Sequence, residues 1–161
     1  MKGKVIISVV GGSSARDGEL RAAEEVGREI ARRGAALVCG GLGGIMEAAC
    51  RGARTEGGLT VGIIPGADRN AANEYVDIPI ATGMGYARNV IVAYAGDAVI
   101  AIGGKVGTLS EMAFASIKGT PLISLGSWEL DAERLRPARV HRAKTAKEAV
   151  EIAFNLLNNS S

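Results

Sequence analysis

Aromatic side chains make up only 4% of the 161 residues, too few for the stacking platforms that hold single-stranded nucleic acid. Neither sign of charge dominates, with a net +2 at neutral pH. There is therefore little general field to attract a polyanion, and neither nucleic acid nor a membrane is expected as a partner. Cysteine is limited to Cys39 and Cys50 and histidine to His141. No metal-ligand spacing joins them, so no metal site is expected, the thiols read as small buried hydrophobes, and His141 reads as a surface residue in a basic run. No apolar run is long enough for a membrane span or signal peptide, which with two lone thiols makes a reduced, cytoplasmic protein the expectation. Proline is scarce too, four residues against 23 glycines, which assigns the glycines to tight turns rather than to disorder.

What is present suits one packed domain: 47% of the residues are hydrophobic. Residues 1 to 157 are expected to form a single Rossmann-like nucleotide-binding domain, with 158 to 161 fraying. Val5 to Val10, Ala36 to Cys39, Thr60 to Ile64, Ala98 to Ile102 and Pro121 to Leu125 are apolar, largely β-branched runs, the pattern of strands covered on both faces. Tyr75 to Ile80 is a further extended segment, and its Pro79 favours a sheet edge.

Helical spacing separates these runs. Leu20, Ala23, Gly27, Ile30 and Ala31 share one face of a first helix that stops at Gly34. A second runs from Ile45 to about Glu56, and a third starts near Gly85. A fourth starts near Thr108, presents Leu109, Met112, Ala113 and Ile117 to the core, and ends near Gly119. Residues 126 to 139, which hold Trp128, read as irregular. In the last helix Thr145 and Glu148 form a capping box and Ala149, Ile152, Ala153, Leu156 and Leu157 face inward. Strands alternating with helices in this way predict an α/β, Rossmann-like three-layer sandwich with a mainly parallel sheet and helices on both faces.

Right-handed crossovers bring the C-terminal ends of such strands to one edge, and ligands bind there where strand order reverses. Three glycine-bearing loops are expected to meet at that edge: Gly11, Gly12 and Ser13; Gly40, Gly41, Gly43 and Gly44, with Met46 following; and Gly103, Gly104, Lys105, Gly107 and Thr108. Glycines let a phosphate approach the backbone, and the free N–H groups at a helix start attract it. The loops lack the lysine-serine ending of a nucleoside triphosphatase loop and the dinucleotide fingerprint. A compact phosphorylated ligand, such as a monophosphate, is the expectation.

Arg88 and Glu111 are the charged candidates beside these loops. Glu111 falls in the expected first turn of the fourth helix, where the dipole favours an ionised carboxylate. In that state it could orient a water or stabilise the positive charge that develops on an anomeric carbon during N-glycosidic cleavage. Arg88 could clamp the phosphate through two parallel N–H groups. A plain Arg88–Glu111 salt bridge is the structural alternative. Glu47 either contacts a ligand or caps its helix. Ser110 has no glycine-flanked elbow and no base beside it, which argues against a serine hydrolase.

Gly40-Gly41-x-Gly43-Gly44-Ile45-Met46, Arg88 and Gly-Gly-x-x-Gly-Thr-x-x-Glu at 103 to 111 together resemble the Lonely Guy family, once labelled lysine decarboxylases. The resemblance runs in order from Gly11 to Pro121. It implies a Rossmann-like homodimer or higher homo-oligomer, without a cofactor, that cleaves nucleoside 5'-monophosphates to free base and ribose 5-phosphate, with Arg88 and Glu111 as catalytic residues. The chain departs from the family signature Pro-Gly-Gly-x-Gly-Thr-x-x-Glu: Gly103 stands at the proline and Lys105 at the second glycine. Asn89 stands where a lysine usually follows the arginine, and the loop at 40 to 44 is one residue short. A shorter branch, similar in length and in its Gly-Gly variant, includes molybdenum cofactor carrier proteins, which bind a phosphorylated pterin without turning it over. Two functions follow from the resemblance: hydrolysis of an AMP-like ligand, or non-catalytic carriage of a phosphorylated cofactor.

Overall fold

The structure, a computed structural model, describes residues 3 to 159. Its strands are β1 (Ile6–Gly11), β2 (Ala36–Cys39), β3 (Thr60–Ile64), β4 (Ile78–Ala81), β5 (Ala98–Ile102), β6 (Leu122–Leu125) and β7 (Val140–Ala143). They form one sheet in the order β4-β3-β2-β1-β5-β6-β7, and every pairing among them is parallel. β2, β5 and β6 are buried along their whole length, and β1 along all but its two ends, because helices cover both faces, which is why they read as unbroken apolar runs. β4 lies at an edge as Pro79 implied, with Ile78 and Ile80 exposed.

The helices are α1 (Asp17–Arg32), α2 (Ile45–Thr55), α3 (Asn89–Ala95), α4 (Val106–Lys118), α5 (Ala132–Leu135) and α6 (Ala146–Asn159). α1, α2 and α6 enclose a core layer around Ile7, Ile30, Leu37 and Ile100. α3 and α4 enclose a second layer around Val10, Val92, Val99 and Met112. α1 and α2 approach so closely that a Cβ at Gly27 would lie 2.0 Å from the Ala49 carbonyl, and one at Gly52 would lie 1.9 Å from that of Glu24. Only glycine permits this contact, which sets how the first two loops sit beside each other.

Four local expectations change. α4 begins at Val106, two residues before Thr108, so Glu111 stands in its second turn. The core side of α4 carries Thr108, Glu111, Met112 and Ala115, whereas Ala113 is exposed and Ile117 is 72% exposed. Met112 is buried as expected and Leu109 partly so, while two polar residues complete the inward face because it borders a cleft; apolar spacing alone misplaces Ala113 and Ile117. β7 was not expected. It takes Val140 to Ala143 into the sheet beside β6, leaving His141 half-buried opposite Ile123. α6 includes Asn158 and Asn159, while Ser160 and Ser161 lie outside the described residues. One half of the expected capping box forms, the Glu148 N–H donating to Thr145 Oγ1 at 3.2 Å, while the Glu148 carboxylate accepts from the N–H of Lys144, one residue before the cap, at 2.7 Å.

The chain moves outward from β1 to β4 and returns through β5 on the other side of β1. Strand order therefore reverses at the β1–β5 pair, and the loops after β1, β2 and β5 share one edge.

Candidate functional site

A cleft of about 460 Å³ opens at that reversal, within the size range of sites for small organic ligands. Gly11, Gly12 and Ser13 line it from the first loop and Met46 from the second. Lys105, Gly107 and Thr108 line it from the third, and Arg88 and Glu111 face it between them. The other sequence candidates build the cleft without lining it. Gly40 supplies a carbonyl to Arg88, Gly41 packs on Ile64, and Gly43 lies near Ser13. Gly44, at φ +64°, lets the second loop press on the Gly12 and Ser13 backbone. Gly103 packs against Glu19, and Gly104, at φ +90°, leaves no room for a Cβ beside Thr108. The glycines thus act mainly by letting three loops approach one another.

Ser14, Leu42, Pro65, Gly85, Tyr86 and Asn89 also line the cleft and were not among the site candidates. Pro65 follows β3 at the same sheet edge, so topology could have found it. Tyr86 could not be inferred, because a 3-10 turn at Gly85–Arg88 precedes α3 and leaves its ring 85% exposed. The cleft therefore has a polar end, with Ser13, Ser14, Lys105 and Thr108, and a flank of Leu42, Met46, Pro65 and Tyr86.

Arg88 is buried and tightly held. Its Nε donates to the Ile63 carbonyl at 2.9 Å, its Nη2 to the Gly40 carbonyl at 3.5 Å, and its Nη1 to Asn89 Oδ1. The Asn89 amide in turn donates to Ser110 Oγ at 3.0 Å, and that hydroxyl donates to the Gly107 carbonyl at 2.6 Å. Asn89 thus ties the guanidinium to the start of α4. Arginine carries five N–H donors, and three are engaged here, leaving two for a ligand.

Glu111 is only 7% exposed. Its carboxyl has no hydrogen-bond partner among the described residues. Burial pushes its pKa up to about 8, with the Arg88 charge pulling the other way. Burial likewise lowers the pKa of Arg88, opposed by the charge of Glu111. The two interact through their fields, and no direct Arg88–Glu111 ion pair forms among the described residues. Against the expectation of an ionised Glu111 held by the helix dipole, burial pushes this carboxyl toward its protonated form, because desolvation outweighs a dipole effect that fades beyond the first turn.

The profile of the SLOG cluster4 family matches residues 4–152. The chain belongs to this family. It is similar to an uncharacterized protein of Archaeoglobus fulgidus, 45% identical over 119 residues, covering 74% of this chain and 78% of that one. It is also similar to a cytokinin riboside 5'-monophosphate phosphoribohydrolase of Mycobacterium tuberculosis, 38% identical, covering 68% of this chain and 63% of that protein. Among solved structures, the molybdenum cofactor binding protein of Rippkaea orientalis superposes with a TM-score of 0.90 at 36% identity, covering 98% of this chain and 99% of that one. The molybdenum cofactor carrier protein of Chlamydomonas reinhardtii superposes with a TM-score of 0.88 at 34% identity, over the same shares. DNA processing protein A of Helicobacter pylori, at 21% identity and a TM-score of 0.68, shares the fold alone. Both the fold class and the resemblance read from the sequence hold. Among the described residues no helix is long and apolar enough to cross a membrane.

Proposed function

We propose that this protein binds a phosphorylated, nucleotide-like small molecule in the cleft and carries it without cleaving it, with a phosphorylated pterin cofactor as cargo. The observation that carries this reading is the likeness to two molybdenum cofactor binding proteins, each superposing over 98% of this chain at 36% and 34% identity. Burial pushes the Glu111 pKa up to about 8, and in its protonated form the carboxyl offers a ligand a hydrogen bond or a proton rather than a negative charge. A ligand phosphate nearby would hold the proton more firmly still, because like charges repel. Lys105, Thr108, Ser13 and Ser14 suit the phosphate, and the flank of Leu42, Met46, Pro65 and Tyr86 suits a flat ring. The full-length similarity to two molybdenum cofactor binding proteins supports the choice of cargo.

Hydrolysis of nucleoside monophosphates is the second reading, favoured by the mycobacterial relative and by Arg88 and Glu111 facing one cleft. One experiment separates the two. Isothermal titration with AMP and with molybdenum cofactor is followed by assay for free base and ribose 5-phosphate. The carrier reading expects tight cofactor binding and no ribose 5-phosphate, with Glu111→Gln still binding. Release of base that Glu111→Gln abolishes would establish the hydrolase instead.

The same reading includes a homodimer. Val106 and Ile117 of α4 are 71% and 72% exposed, and the neighbouring α3 exposes Ile91 and Tyr94. Val106 adjoins Lys105 and Gly107 in the chain, so a partner on this surface would sit at the mouth of the cleft.

A further inference from the structure

The crossover from β6 to β7 differs from those that carry α1, α2 and α4. It holds only the four-residue α5, so no long helix covers the sheet beneath it. Leu130 and Val140 pack there against the core layer of α3 and α4 and remain only partly buried. The result is a hollow of about 860 Å³, separate from the glycine-loop cleft.

Trp128 stands at one end of this hollow, 40% exposed. Its indole N–H is already used, donating to the Lys105 carbonyl at 2.9 Å, and Ser127 Oγ donates to the Gly103 carbonyl at 2.6 Å. The ring is thereby anchored to the β5–α4 loop, and what it offers to a ligand is its face. Three arginines share the lining. Arg136 pairs with Glu133 at 2.8 Å and Arg142 with Glu129 at 3.5 Å. Arg139 forms no ion pair among the described residues. An anchored indole, an uncompensated guanidinium and apolar side chains lining one hollow match a ligand with a flat ring that stacks, bearing an anionic group that pairs bidentately with arginine.

We propose that the hollow under the β6–β7 crossover is a second binding site, for a planar aromatic anion stacked on Trp128 and neutralised by Arg139. It does not depend on what the glycine-loop cleft binds.

Trp128 is the only tryptophan of the chain, so its fluorescence reports on this site directly. GMP supplies both ring and anion as a probe, with guanosine and inorganic phosphate as the separate halves. The cleft is obstructed independently by Gly107→Leu: Gly107 lines the cleft and a Cβ there meets only Asn89 Nδ2, at 3.9 Å, so the larger side chain is accommodated, and isothermal titration checks that cleft binding is lost in this variant. The expected result is saturable quenching by GMP that persists in Gly107→Leu. Quenching should weaken about tenfold or more in Arg139→Ala, the loss of a charge-assisted contact, and guanosine and phosphate should each bind more weakly than GMP. Circular dichroism checks that both variants fold, and Arg139→Lys, which keeps the charge, should restore part of the affinity. Quenching lost in Gly107→Leu would mean that Trp128 senses the cleft through Lys105, and would overturn the proposal. So would quenching unchanged in Arg139→Ala, or none in the wild type at millimolar GMP. Failure of cleft binding with Arg139-dependent quenching intact would leave this site standing and count only against the carrier reading.

Discussion

Glu111 has an ordinary carboxyl pKa of 4.5 when unfolded and about 8 when folded. Between those values the folded protein binds more protons than the unfolded chain, so stability falls as pH rises through this window. The slope for one proton is at most about 1.4 kcal/mol per pH unit. Glu111→Gln cannot titrate and should remove this slope. Urea unfolding at pH 5 and pH 8 should therefore show the wild type losing stability across the interval while the variant stays flat; equal slopes would contradict a buried, neutral Glu111. Arg88 and Glu111 could be singled out from spacing alone, because each sits at a fixed offset from a glycine loop. Asn89 read only as a departure from a family pattern. Its importance comes from contacts 21 residues away in sequence, at Ser110, which no local pattern encodes.

Among the elements, the α1–α2 contact is the least tolerant of added volume. Gly27→Ala places a methyl against the Ala49 carbonyl and should cost about 1–3 kcal/mol by forcing the helices apart. Gly18→Ala, in the first turn of α1, meets only the end of Arg21 at 3.9 Å. It should stabilise by about 0.4–1 kcal/mol through lower unfolded-state entropy. Thermal melts of the two variants should therefore shift in opposite directions, and a stabilised Gly27→Ala would refute the close contact. The helices themselves were legible, including the stops at Gly34 and Gly119, since glycine punctuation and 3.6-residue spacing are local. The inward face of α4 was not, because Thr108 and Glu111 are turned inward by the cleft and Ile117 is left outside. β7 was missed for a related reason: a four-residue strand with His141 and Arg142 in it has no apolar run to announce it, and pairing with β6 defines it.

For the whole molecule, the exposed apolar surface of α3 and α4 predicts self-association. Light scattering after size exclusion should give a mass twice the 16.5 kDa of the chain. Ile117→Asp should shift it to the monomer, since a charge placed within an apolar interface is not compensated. A monomeric wild type would count against the dimer and would leave the cleft without a neighbour at its mouth. By itself the sequence determined the alternation of strands and helices, the parallel sheet and the three glycine loops, because periodicity and turn chemistry are short-range properties. Tertiary structure alone decided that burial pushes Glu111 toward its protonated form, that Asn89 holds Arg88, and that Trp128 lines a second hollow while bonded to Lys105. Desolvation, hydrogen bonding across the sheet edge and the space left under a short crossover depend on distances between segments far apart in the chain.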